Sequence, residues 1–168
     1  IYCGGGVVIA GASEDRTALS EKIDAPVGCS MMGLSAIPTE HKNALGMQGM
    51  HGLFASTRSL AASELVIACG VRFSDRATGN KSKFAKDAKV IHIDIEPGEI
   101  DKNIEVQLGM VGDIKDALSR IIPAVESKSH PEWQEHIDKY KQKTASIDVT
   151  PDKMRPYAII DVINKYTT

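Results

Sequence analysis

Short apolar runs alternate along the chain with longer stretches of helical periodicity, the pattern of a parallel sheet with covering helices. Apolar positions ending at Cys3 make a first strand, followed by Gly4-Gly5-Gly6 and an apolar stretch from Val7 to Ala10. Ser13, with Glu14 and Asp15 behind it, reads as the N-cap of a helix that ends near Ile23. Pro26 and Val27 open a second strand toward Ser30, and Leu65 to Cys69 is apolar at every position, as a central strand covered on both faces should be. Lys89 to Ile95 predicts another strand, stopped by Glu96-Pro97-Gly98, and Val106 to Val111 a short one. Helices are expected around Leu53 to Ala61, over Ile114 to Ile122 with Pro123 as the stop, and over Pro131 to Lys143, with Trp133, Ile137 and Tyr140 on one face. Pro156 suits the first turn of a last helix, Tyr157 to Tyr166. Gly33 to Gly52 reads as a long loop, yet it holds too many apolar residues for a plain linker. The expected fold is α/β, a Rossmann-like doubly wound parallel sheet flanked by helices. One domain would span 1–168, with 150–168 a linker helix.

Composition narrows this only a little. At 168 residues, 42% hydrophobic and 25% charged, the chain suits one globular domain. Twenty basic against 22 acidic residues leave a net charge of -2, which gives no general pull toward nucleic acid or anionic lipid. Anion recognition would have to be local. No apolar stretch approaches the roughly 18 residues of a membrane span and no basic leader precedes one, so a cytoplasmic protein with neither membrane nor nucleic-acid partners is expected. Cys3, Cys29 and Cys69 are scattered, each beside an apolar run, and read as small core residues and not as a disulfide or zinc set. Opening on Ile1-Tyr2-Cys3, with apolar residues from the first position, suggests a piece of a longer chain.

Open α/β sheets bind ligands beyond the carboxyl ends of their strands. The residues expected there are Gly4-Gly5-Gly6, Ser30 to Gly33, Gly70 to Arg76, Asp94 to Glu96 and Gly112-Asp113. Glycines permit close backbone approach, Arg72 and Arg76 supply two cations in one loop, and Asp94 and Asp113 are acids placed to meet ribose hydroxyls. Each feature has a plainer reading. The glycine triplet lacks the G-x-G-x-x-G spacing and could be a tight turn; the arginines could be solvated; Asp113 could cap the next helix. His51, between Met50 and Gly52, divides evenly between burial and contact with a flat ring, and His92 reads as a structural residue within its strand. With no G-x-S-x-G, no H-E-x-x-H and no paired Cys and His, no catalytic residue or metal ligand is nominated.

Gly46-Met47-Gln48-Gly49-Met50-His51-Gly52, Gly70-Val71-Arg72-Phe73-Ser74-Asp75-Arg76-Ala77-Thr78-Gly79 and Val90-Ile91-His92-Ile93-Asp94-Ile95-Glu96-Pro97 closely resemble, in order and spacing, the central domain of the acetolactate synthases, a branch of the thiamine-diphosphate enzymes. The likeness covers nearly the whole chain. It implies a central FAD-binding domain of a three-domain enzyme, with FAD structural because the reaction has no net redox change. It also implies that the N- and C-terminal domains hold thiamine diphosphate and Mg2+, and that the fragment alone is inactive. The intact enzyme would condense two pyruvates, or pyruvate and 2-ketobutyrate, as a homo-oligomer (dimer or tetramer) with a possible regulatory small subunit. The family's FAD contacts would fall on Gly4, Gly5, Gly6, Ser30, Met31, Gly49, Met50, His51, Gly70, Arg72, Arg76, Asp94, Ile95 and Asp113. The sequence departs from the family at Ser30 and Met31, where threonine and leucine are usual, at Gln48, usually leucine, and at Ser74, usually aspartate. The alternative is an ADP-binding central domain of another such enzyme, or a stand-alone nucleotide-binding regulatory module.

Overall fold

The computed structural model describes residues 1–145 and 156–167. Six strands, β1 (Tyr2–Cys3), β2 (Val27–Cys29), β3 (Ala44–Met47), β4 (Leu65–Cys69), β5 (Lys89–Asp94) and β6 (Leu108–Val111), form one sheet in the order β3-β2-β1-β4-β5-β6. Every pairing is parallel. This is the doubly wound order, which reverses between β1 and β4, so the expected fold class stands. Helices α1 (Gly5–Ile9), α2 (Ser13–Lys22), α3 (Phe54–Ala61), α4 (Asp75–Thr78), α5 (Ile114–Ala124), α6 (Pro131–Ala145) and α7 (Pro156–Tyr166) fill the connections.

Because successive side chains of a strand point to opposite faces, the same strands supply two different cores. One is aliphatic and thiol-rich: Cys3, Cys29, Cys69 and Ile93 pack with Val7, Leu19, Ile114 and Leu118 of α1, α2 and α5. Cys3 is in register with Cys29 on one side and Cys69 on the other, so the three thiols form a row across β2, β1 and β4. All three are free and buried, as expected from the sequence. The other core is aromatic: Tyr2, Val66, Ala68 and Val90 pack beneath Phe73 and Phe84. There Phe73 meets Tyr2 at 5.9 Å and Phe84 at 5.7 Å between ring centroids.

Several local expectations are corrected. The segment Gly33 to Gly52 is not all loop: a 3-10 helix covers Met31–Ala36, and Ala44–Met47 is the edge strand β3. Gly46 sits at φ 75° and the pairing slips between Val27 and Gly28, which breaks the alternation that would have announced a strand. Ser13 is the first residue of α2, with Ala12 at the cap position, and its carbonyl accepts a hydrogen bond from Thr17 Oγ1. Gly5 and Gly6 begin a short helix instead of a turn. Helix α5 runs through Pro123 to Ala124, since a proline in the last turn removes one hydrogen bond without stopping the residue after it. The loop Arg72 to Lys83 holds α4 and a 3-10 turn, Lys81–Lys83. Of the expected linker helix 150–168, α7 is described, and 150–155 lie outside the described residues.

Candidate functional site

All six strands point their carboxyl ends to one edge. With neighbouring strands about 4.8 Å apart, that edge is about 24 Å long, enough for an extended dinucleotide. At the reversal point the turn after β1 and the turn after β4 interlock. A Cβ on Gly4 would lie 1.9 Å from the Gly70 carbonyl oxygen, and one on Gly70 would lie 2.6 Å from Gly6 Cα. Gly70 is also at φ 57°. These glycines are therefore required by backbone-to-backbone contact alone. Two of the three amides in the triplet are already used, Gly4 donating to the Cys69 carbonyl at 2.9 Å and Gly6 to the Gly70 carbonyl at 3.2 Å.

The edge continues on both sides. Ser30 N donates to the Cys3 carbonyl at 2.8 Å, which seats Ser30 and Met31 beside the triplet. Gly49, at φ 112°, backs onto Arg76, and Met50 N donates to the Arg76 carbonyl at 2.8 Å. That contact joins the turn after β3 to the arginine loop, a neighbourhood the sequence does not reveal. Arg72 and Arg76 are exposed, and among the described residues neither guanidinium has an ion-pair partner. Met31 is 74% exposed, Met50 69% and Ile95 69%, so the edge joins two unpaired cations to bare apolar side chains.

At the other end Asp94 is 7% exposed, and its Oδ1 accepts from Glu96 N at 2.9 Å in a tight turn. Gly112 N donates to the Asp94 carbonyl at 3.0 Å, which places Asp113 alongside. Asp113 is exposed and caps α5, its Oδ1 accepting from Asp116 N at 3.0 Å, as the plainer reading held. His51 is exposed, so of its two readings burial is excluded. Gln48, by contrast, is buried, and its Oε1 has no hydrogen-bond partner.

Two residues outside the expected contacts matter here, Phe73 and His92, the latter expected to be structural within its strand. Phe73, between the arginines, is 1% exposed and held at φ 47°, a conformation that costs a bulky residue about 1–3 kcal/mol and persists only where packing enforces it. His92 is fully buried under it, edge to face at 5.0 Å between ring centroids, with Nε2 3.7 Å from Asp94 Oδ2. Burial lowers the His92 pKa from its ordinary value, outweighing the attraction of Asp94, so the ring is neutral near pH 7. Only the alternation of β5 could have signalled this, since it sets His92 and Asp94 on one face.

The donor set fits an anionic, partly aromatic ligand such as a flavin or adenine dinucleotide: unpaired guanidinium groups for a diphosphate, a fixed carboxylate for hydroxyls, exposed thioethers for a ring. Among the described residues there is no cluster of His, Cys, Asp and Glu arranged to hold a metal ion, and no helix is long and apolar enough to cross a membrane.

A family model described as thiamine pyrophosphate enzyme, central domain, matches residues 1–121. The chain is similar to the acetolactate synthase large subunit of Buchnera aphidicola subsp. Schizaphis graminum, 36% identical over 172 residues, covering 99% of this chain and 30% of that protein. It is similar to the acetolactate synthase isozyme 3 large subunit of Escherichia coli K12, 34% identical over 175 residues, with 99% and 30% covered. The large subunit of Corynebacterium glutamicum is 37% identical over 172 residues, with 98% and 28% covered. The chain thus spans about 30% of the length of the first relatives it matches. From the doubly wound sheet, the furnished strand edge and a family match across most of its length, this chain belongs to the central-domain family of the thiamine pyrophosphate enzymes.

Proposed function

We propose that this chain is the central domain of an acetolactate synthase large subunit and that its strand edge holds FAD. In this reading Arg72, Arg76 and the turns at Gly4 to Gly6, Ser30 and Gly70 serve the diphosphate and ribityl portion. Met31, Gly49, Met50 and His51 line the ring, and Asp94, Ile95 and Asp113 face the adenosine end. FAD would supply shape and charge to the site, because condensing two 2-oxo acids with loss of carbon dioxide needs no net oxidation. Thiamine diphosphate and Mg2+ would be held by domains outside this chain. The intact enzyme would act on pyruvate, or pyruvate and 2-ketobutyrate, in the cytoplasm, as a homo-oligomer with a regulatory subunit. α7 would lead into the following domain.

The observation that carries this is the pair of exposed guanidinium groups, without ion-pair partners among the described residues, on one loop at the reversal edge, in a chain similar over almost its whole length to acetolactate synthase large subunits. Purified full-length protein should carry a flavin absorbance spectrum, or gain one on reconstitution, and form acetolactate from pyruvate with thiamine diphosphate and Mg2+. Folded protein that takes up no flavin and makes no acetolactate would refute the reading. The same donor set also suits ADP, which calorimetric titration with FAD and ADP would separate by their relative affinity.

A further inference from the structure

We propose that His92 is a positioning residue that holds the Asp94 carboxylate and the Phe73 anchor of the arginine loop in the geometry that receives a nucleotide. This rests on the reading of the strand edge as a nucleotide site. The register makes the argument. Tyr2 lies opposite Ala68, Ala68 opposite His92, and His92 opposite Gly109, so the ring stands in a row between two small residues. The space over Ala68 is filled by Phe73, 5.9 Å from the Tyr2 ring and 5.0 Å from the His92 ring. Over Gly109 it is filled by Ile100, since a Cβ there would lie 2.5 Å from Ile100 Cγ2. His92 thus has a fixed place, touching the loop of the two cations on one side and the acid at its own strand end on the other.

A histidine that merely filled this space would be a poor choice. Neither ring nitrogen makes a hydrogen bond of good geometry, the Val71 main chain being the nearest such group, and that is a cost an apolar residue of the same shape avoids. Nε2 instead faces Asp94 Oδ2, the carboxylate oxygen left over when Oδ1 accepts from Glu96 N. With the ring proton on Nε2, its dipole attracts Oδ2 across 3.7 Å, a contact longer than a hydrogen bond that leaves the lone pairs of the oxygen open. Those stay open to ligand hydroxyls while the ring is neutral. The charged groups acting on the ring are Asp94, and Glu99 and Asp101 from the segment after β5; the Val71 main chain also favours its charged form, and the Tyr2 hydroxyl on the same face is itself unpartnered. Protonation would pair the ring with Asp94 and withdraw the carboxylate from the ligand. Affinity should therefore fall as pH drops below the ordinary histidine value.

The test is a double-mutant cycle in the full-length protein, reading FAD and ADP affinity by calorimetry. His92→Phe keeps the shape and should weaken both ligands about tenfold, as should Asp94→Asn, while the double variant should be little weaker than Asp94→Asn alone. His92→Gln, which restores an N–H on a side chain of similar reach, should bind within about threefold of wild type and lose the acid-side fall in affinity. Should His92→Phe not fold, the pH profile of His92→Gln against wild type carries the test by itself. Additive effects in the cycle, or superimposable pH profiles for wild type and His92→Gln, would overturn the role of His92 alone. Failure of the wild type to bind either nucleotide would overturn the underlying site as well.

Discussion

The two faces of this sheet are built by the same strands and do different work. On the aliphatic face, thiols and branched side chains pack against α2 and α5, and the face touches the strand edge that collects Arg72, Arg76 and Asp94 through Ile114, which backs Gly6 and Gly70. On the aromatic face, Phe73 and His92 lie directly beneath those groups. The two faces therefore differ in what they carry: damage to the first should lower stability and spare affinity, whereas damage to the second, itself a buried core, should lower both.

The largest expected effect breaks both faces where they meet. Gly4→Ala forces a Cβ into the Gly70 backbone, which cannot yield as a side chain can, and should cost about 3 kcal/mol or more in chemical unfolding together with all nucleotide binding. Next, Leu118→Ala empties a fully buried site on the aliphatic face and should cost about 2–5 kcal/mol while leaving the affinity of the folded protein unchanged. A change in affinity there would mean that the faces are coupled.

Arg72→Ala and Arg76→Ala should each weaken FAD or ADP about tenfold, with stability shifted by no more than about 0.5 kcal/mol, since both side chains are exposed and have no ion-pair partner among the described residues. The smallest effect is in the thiol row. Burial pushes the Cys69 thiol up to about 11, the Cys3 thiol is pushed up by its hydrogen bond with Cys29, and the same bond holds Cys29 down, assisted by Arg16. A thiol raised in the folded state contributes stability that is complete below its unfolded value near 9 and is lost as pH rises toward 11. Unfolding followed from pH 8 to 11 should show that decline, and Cys69→Ala should flatten it. For His92 the sign is opposite: its lowered pKa stabilises the fold above about 6.5, and that part is lost as pH falls below it.

Much of this was legible in the chain and the rest was hidden for identifiable reasons. Leu65 to Cys69 and Lys89 to Asp94 announced themselves because buried parallel strands are apolar on both faces, and the groups at their ends followed from the rule for open sheets. β3 escaped because Gly46 and a register slip erase its alternation. The contact of Gly49 and Met50 with Arg76 escaped because it joins turns from different strands, and the strained backbone of Phe73 has no compositional sign. His92 looked structural because periodicity shows which face a side chain takes and not what waits above it.

The most direct test of the account is calorimetric titration of full-length protein with FAD, beside a variant carrying both Arg72→Ala and Arg76→Ala. One flavin per chain on the wild type, and at least a hundredfold weaker binding by an equally stable variant, is the predicted result. Equal binding by the two proteins, or none by either, would contradict the assignment of this strand edge as the nucleotide site.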